Sequence, residues 1–478
     1  MTLIRKFVFK RRPLRLRFTR LAVCGLACVA AGTGAAASAA PRTGQWTPLQ
    51  APVPGTARVD PGVLVRGLTC PDATDCVGIG SFAKQTAGRG GLIEQLSGGT
   101  WTATQAPLPV GAPADAQVVL SSVGCPTTVW CGVAGYFDTA TARHPVSAVL
   151  NGGQWQVRAV PPVTGALPGS MTTLTSISCA TAGQCVAVGR YQDGSGHYQG
   201  LISRLSGGKW HSSRAPLPAD AASDPVGDLE WVSCVAASQC TSAGAYVNKK
   251  GARVLTLDVL SGGHWTASKA ALPSDAASDP LAYLGYVTCL GAEDCTAVGN
   301  YSTSAGATQG LILRELGGSW HAVTAPLPAD ADPLDPRASI SEVSCPTLAF
   351  CAATGGYRTS EDTFGAVIET FKGGVWRAIP APAPVDDQTG HYLASVSCPT
   401  TRFCVAGGST DFSGLLDQYY LGRWSVMVAP LPNPGFHALF RTNSVSCAAY
   451  LKCTAFGTYT KNSDTSPQGQ GLLETFSR

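Results

Sequence analysis

The chain has 478 residues, with 34 Lys and Arg against 30 Asp and Glu, and only 13% of its residues are charged. The formal charge of +4 comes from the first twenty residues, and the −4 of the remainder leaves no electrostatic footprint for a nucleic-acid partner. The 18 cysteines point to an oxidising compartment.

Residues 1–39 read as an export signal. Eight bases, from Arg5 to Arg20, precede an apolar run of small residues from Leu21 to Ala31, and Ala37-Ser38-Ala39 supplies a cleavage site. The run is too weakly apolar for a spanning helix, so no membrane association is expected after cleavage. Arg11-Arg12 leaves general and twin-arginine export both open, and Gly25-Leu26-Ala27-Cys28 leaves a lipid-anchored form open. The leader holds eight of the 34 bases and no acid, so its removal turns the charge from +4 to −4. The remainder is expected outside the cell or on its surface.

Residues 40–478 are organised by a repeat of about 55 residues. Thr43-Gly44-Gln45-Trp46 opens it, and seven further tryptophans keep the period: Trp101, Trp155, Trp210, Trp265, Trp320, Trp376 and Trp424. Between them fall eight cysteine pairs, each with five residues between the sulfurs: Cys70 with Cys76, Cys125 with Cys131, Cys179 with Cys185, Cys234 with Cys240, Cys289 with Cys295, Cys345 with Cys351, Cys398 with Cys404 and Cys447 with Cys453. One pair per repeat gives only two metal ligands, and no histidine recurs to complete four, so the pairs are expected as disulfides and not as zinc ligands. Each would close a short turn and contribute about 2 kcal/mol.

In the third unit, Thr175 to Cys179, Cys185 to Tyr191, Gly200 to Leu205 and the stretch after Trp210 read as four strands of a meander. Gly-Gly pairs before six of the tryptophans supply the tight turn between strands three and four. Such a sheet buries too little alone, so the copies must cover one another. The last unit lacks its fourth strand, and the segment around Trp46 is a fourth strand without the other three. The expected architecture is therefore all-β: an eight-bladed β-propeller of four-stranded antiparallel blades, closed by the N-terminal strand pairing with the last blade.

The turns Ser97 to Trp101, Ser206 to Trp210 and Ser261 to Trp265 resemble the Asp-box hairpins of sialidase-like and sortilin-like propellers, although the aspartate of that box is absent from every copy. The unit as a whole, with its Ser-Cys-x5-Cys-x-Ala-x-Gly core, is similar to repeats of exported bacterial proteins. Neither resemblance implies an activity.

Candidate functional positions follow from the strand order. Loops between the second and third strands and loops between blades share one face, the upper one, where ligands meet rigid propellers. Asp220, Asp224, Asp275, Asp279, Asp330, Asp386 and Asp387 recur in the inter-blade loops, along with Asp60, Asp115, Asp332 and Asp335. They read either as a carboxylate ring or as solvated turn formers. Seven units place an aromatic six residues after the second cysteine (Phe82, Phe137, Tyr191, Tyr246, Tyr301, Tyr357 and Tyr459), as packing between sheets requires. The seventh unit has Thr410 instead and a clipped loop to Gly414, which would open a groove flanked by Arg358, Glu361 and Asp362 on one side and by Lys461, Asn462 and Asp464 on the other. Trp130 and Trp231 lie outside the repeat, Trp130 as a candidate contact on the opposite face.

No nucleophile elbow, zincin helix, phosphate loop or sialidase arginine triad is present, and the seven histidines share no register. These observations predict a non-catalytic binding or scaffold module with no cofactor or metal, a glycan or protein ligand at the upper face, and a monomeric state. The alternative is a carbohydrate-active hydrolase or lyase assembled from carboxylates at the channel mouth.

Overall fold

The computed structural model describes residues 44–384, 390–433, 440–460 and 469–477. The leader read from residues 1–39 lies outside the described residues. The rest forms eight antiparallel four-stranded sheets, each a meander of strands consecutive in sequence except the last. In blade 3 the strands are Thr173–Thr181, Gln184–Gln192, Tyr198–Ser206 and Lys209–Arg214. Blade 8 joins Phe440–Ala449, Lys452–Thr460 and Gly469–Ser477 to the N-terminal strand Gln45–Gln50. Trp46 pairs with Phe476 and Gln50 with Leu472, so the front of the chain zips onto its tail. The rings of Trp46 and Phe476 meet at 5.2 Å. The eight-bladed propeller and its closure are as the repeat predicts.

Cohesion lies in the seams between blades. Val298 and Ile312 of blade 5 pack with Ile340, Ala353, Tyr357 and Val367 of blade 6, all essentially inaccessible to water. Both faces of the central strands are therefore buried, which explains why their apolar residues fall on both parities. First strands contact first strands around the ring, so they are innermost and border the channel. Their inner edge would leave backbone N–H groups unpaired. A ring of hydroxyls meets that need. The N–H groups of Cys234, Cys289, Cys398, Cys447 and Cys70 donate to Ser178, Ser233, Ser344, Ser397 and Ser446 of the preceding blade, at 2.9–3.1 Å. In the five blades where serine precedes the first cysteine, that serine is thus a blade-to-blade clasp.

All eight expected cysteine pairs are disulfides, one per blade. Cys70 is bonded to Cys76, Cys125 to Cys131, Cys179 to Cys185 and Cys234 to Cys240 in blades 1 to 4. In blades 5 to 8, Cys289 is bonded to Cys295, Cys345 to Cys351, Cys398 to Cys404 and Cys447 to Cys453. Each bond ties the end of a first strand to the start of the second, across the turn that joins them. In Cys76, Cys131, Cys295, Cys351, Cys404 and Cys453 the side of the bond on the second strand is sealed from water, so each bridge faces the seam and not the solvent. The Gly-Gly turns adopt the left-handed conformation, as at Gly207 and Gly208 with φ of 57° and 75°. The glycine four residues after the second cysteine answers to a bulge in the first strand. At Gly244 an added Cβ would lie 2.1 Å from the Asp228 carbonyl oxygen. The register beside it shifts between Leu229 and Trp231.

Candidate functional site

Each innermost strand begins at the upper mouth of the channel and passes its bulge within its first half. The bulge makes three positions per blade differ most from the rest of the repeat. In blade 4 they are Asp228, Glu230 and Trp231; in blade 5, Tyr283, Gly285 and Tyr286; in blade 6, Ser339, Ser341 and Glu342; in blade 7, Tyr392, Ala394 and Ser395. In blades 8, 1, 2 and 3 the place of Trp231 is taken by Ser444, Gly67, Ser122 and Ser176. Ser122 and Ser176 spend their hydroxyls on N–H groups of the next blade, Ile177 and Val232. Just past the bulge, five blades thus carry serine or glycine, Ser395 of blade 7 among them, and blades 4 to 6 carry Trp231, Tyr286 and Glu342.

The large side chains form a connected wall. The Trp231 and Tyr286 rings are 4.9 Å apart and tilted by 54°. Ser341 Oγ and the Tyr392 hydroxyl are 2.6 Å apart. Glu342 Oε2 accepts from the Val396 N–H at 3.3 Å. Asp228 accepts from the Ala245 N–H and pairs with Arg253 at 2.9 Å. Burial pushes Glu342 up to about 7, against hydrogen bonds from Ser395 and Val396 that favour its charge. Glu230 is raised by burial and by neighbouring Asp228, with Arg190 and Arg253 opposing. Tyr283 is raised by burial and by Glu230.

Blades 6 and 7 add exposed aromatics at and beside the clipped loop. Phe412 at its tip is 64% exposed, Phe364 of blade 6 is 54% and Tyr392 is 46%. The predicted flanks differ in state. Arg358 is held by Asp362 at 2.8 Å and by Asp332 at 3.5 Å, while Glu361 is exposed. Lys461, Asn462 and Asp464 lie outside the described residues, as do Asp386 and Asp387.

The recurring loop acids are spread around the upper face, and Asp220, Asp275, Asp279 and Asp330 each have a partner of their own. Asp220, Asp275 and Asp330 accept from the hydroxyls of Tyr246, Tyr301 and Tyr357, the buried aromatics of the blade that follows. Where that aromatic is Phe82 or Phe137, Thr56 and Gly111 stand in place of the acid. The phenylalanines need no acceptor. Burial, with Asp275 beside it, raises Tyr301 to about 12. Asp279 caps the Arg253 N–H at 3.0 Å, and Asp224 is exposed. Trp130 is not an exposed contact: it is 8% exposed and packs in the seam between blades 2 and 3.

One feature of the seams escapes sequence reasoning. Glu94, Asp258, Glu369, Asp417 and Glu474 occupy the same place on third strands, opposite the residue two after the second cysteine, and all are 0% exposed. Asp258 accepts from the Thr256 hydroxyl. The other four carboxyls have no protein partner. Burial pushes Glu94 to about 9, Glu369 to about 8 and Asp258 to about 7, and holds Asp417 and Glu474 well above the usual range. Glu94 and Glu369 are therefore neutral acids at neutral pH.

A cleft of about 710 Å³ opens on the upper face of blade 2, lined by Phe137, Arg143, His144, Pro145 and the loop from Ala159 to Thr172. Arg143 is paired with Asp138 at 2.6 Å, and His144 stacks on Phe137. Among the described residues no group of three or more His, Cys, Asp or Glu is placed to hold a metal ion, and no helix is long and apolar enough to cross a membrane.

No family model matches the chain. No curated protein matches it either. Among solved structures, YCF48 from Cyanidioschyzon merolae is 12% identical, covering 78% of this chain and 98% of that one, with a TM-score of 0.44. A sialidase of Trypanosoma rangeli is 10% identical, covering 90% of this chain and 59% of that one, with a TM-score of 0.39. Sqt1 of Chaetomium thermophilum, solved bound to the N-terminus of ribosomal protein L10, is 10% identical over 75% of this chain and 96% of that one, with a TM-score of 0.42. Likenesses at this level carry no argument about ligand or activity, and the fold rests on the strand pairing of the chain itself.

Proposed function

We propose that the protein is an exported, non-catalytic binding module that holds a glycan at the upper mouth of its channel. One observation carries this reading: the inner position just past the bulge is serine or glycine in blades 7, 8, 1, 2 and 3 but Trp231, Tyr286 and Glu342 in blades 4 to 6, and Tyr283, Tyr392, Phe364 and Phe412 are exposed aromatics of blades 5 to 7. Packing does not demand that asymmetry, because the other five blades close without it. Flat aromatic faces with hydroxyls and carboxyls at their edges suit the faces and rims of sugar rings. Eight disulfides suit an oxidising extracellular setting. Calorimetric titration with soluble cell-wall and plant oligosaccharides tests it. Binding that weakens at least tenfold in Tyr283→Ala or Tyr392→Ala, with unchanged thermal unfolding, is expected. Full-strength binding in both variants overturns the site.

A second reading, hydrolysis or lysis at the same mouth, is favoured by Glu342, whose carboxyl is raised to about 7 and thus suited to proton donation. Release of shortened products from any bound glycan, abolished in Glu342→Gln, would establish it over the first.

A further inference from the structure

We propose that the glycan held at this mouth is an amino sugar with a free amine, whose ammonium group sits among Trp231, Tyr283 and Tyr286 with Glu230 and Glu342 beside it. The inference rests on the glycan-binding reading and adds the chemical class of the ligand.

Three aromatic side chains from two neighbouring blades converge here. Trp231 and Tyr286 meet at 4.9 Å with their planes tilted, so they present two adjoining walls and not a stack. Tyr283 is 45% exposed at the rim, at the start of the strand that carries Tyr286. Adjoining aromatic walls favour a cation, because the ring quadrupole turns its negative face to the ligand; the attraction grows as the cation is desolvated.

The charges around the cluster point the same way. Glu230 adjoins Trp231 in the chain and acts on Tyr283, and Glu342 acts on Tyr286. Among the described residues neither glutamate forms an ion pair. Arg190 and Arg253 are the bases that face Glu230, but Arg253 is paired with Asp228 and Arg190 lies over the Tyr198 ring at 4.8 Å. No base faces Glu342 or Tyr286, on which burial, Ser395, Val396 and the mutual effect of the two groups are the influences. The wall therefore offers ring faces and two carboxyls: among the described residues no base faces Glu342, and Glu230 has Arg190 and Arg253 near it without an ion pair to either. A neutral sugar would use the stacking surface alone, whereas an ammonium would use both.

Calorimetry with two ligands that differ at one group decides the matter: a glucosamine oligomer with free amines and the same oligomer fully N-acetylated, at pH 6 and low salt, with tetramethylammonium followed by proton NMR as a probe of the seat alone. The free-amine oligomer is expected to bind at least tenfold more tightly, to weaken with added salt, and to lose that advantage in Glu230→Gln and in Trp231→Leu. Glu230→Gln keeps the shape of the wall, so it reads charge even if Trp231→Leu disturbs folding. Equal or tighter binding of the N-acetylated oligomer overturns the inference and leaves the glycan reading standing. Line broadening of tetramethylammonium that vanishes in Trp231→Leu, with neither oligomer bound, keeps the ammonium seat and removes the glycan. Binding of none of the three overturns both.

Discussion

Replacing Glu94 by glutamine should make the protein markedly more stable in mild alkali and leave it almost unchanged in acid. Glu94 is fully buried between blade 1 and blade 8, without a protein partner for either oxygen, and burial is the sole influence that moves its carboxyl from 4.5 to about 9. A group whose folded pKa is raised contributes its full stability below the unfolded value and loses it as pH climbs toward the folded one. The window is therefore from about pH 4.5 to about pH 9. Across it the unfolded chain releases a proton that the folded chain keeps, at ~1.4 kcal/mol per pH unit, so the loss from this one carboxyl by pH 8 is ~5 kcal/mol. For a chain of this size, where unfolding entropy is about 2 cal/mol/K per residue, that corresponds to roughly 5 °C in Tm. Glutamine has nearly the same shape and no proton to lose. Scanning calorimetry of wild type and Glu94→Gln at pH 4.5 and pH 8 reads the effect directly: similar Tm values at the lower pH, and a variant higher by several degrees at the upper one. A shift of equal size at both pH values, or a lower Tm for the variant at pH 8, would refute the assignment of Glu94 as a buried neutral acid.

The Tyr301 to Asp275 clasp at 2.9 Å should contribute about 1 kcal/mol, so Tyr301→Phe and Asp275→Asn should each destabilise by that amount and their combination by much less than the sum, as measured by denaturant unfolding. The eight disulfides use every cysteine beyond residue 40, so alkylation of the native protein expressed from that point, followed by mass spectrometry, should add no label before reduction. Replacing Cys234 and Cys240 together by serine should cost about 2 kcal/mol, since the bond closes only a short loop; a thermal scan unchanged from wild type would contradict that figure.

The eightfold plan, the bridges and the closing strand were legible because each is written as a spacing. The tyrosine clasps were half legible. Asp220, Asp275 and Asp330 stand out as recurring acids, yet their meaning lies in the buried tyrosine 26 or 27 residues further on. That pairing links a loop to a strand and is invisible to any local pattern. Glu94 and its equivalents were missed for a different reason: a single acid in an alternating strand reads as solvent-facing, and here there is no solvent face. The inner wall was hidden by the bulge. Trp231 drew notice as an unrepeated tryptophan, but the extra residue before it shifts the parity of the strand, so counting alternate positions does not place Tyr286 or Glu342 on the inner side.

The wheel is sealed by a segment borrowed from the opposite end of the polypeptide, and Gln45–Gln50 is the one strand whose removal spares every other hairpin. Proteolytic trimming there would bare the outer edge of Gly469–Ser477, a vacant berth shaped for an identical strand. A trimmed molecule could accept the leading strand of an intact neighbour whose own berth is thereby vacated, and the exchange would run head to tail. The latch that makes one molecule self-sufficient is also its point of entry into a polymer.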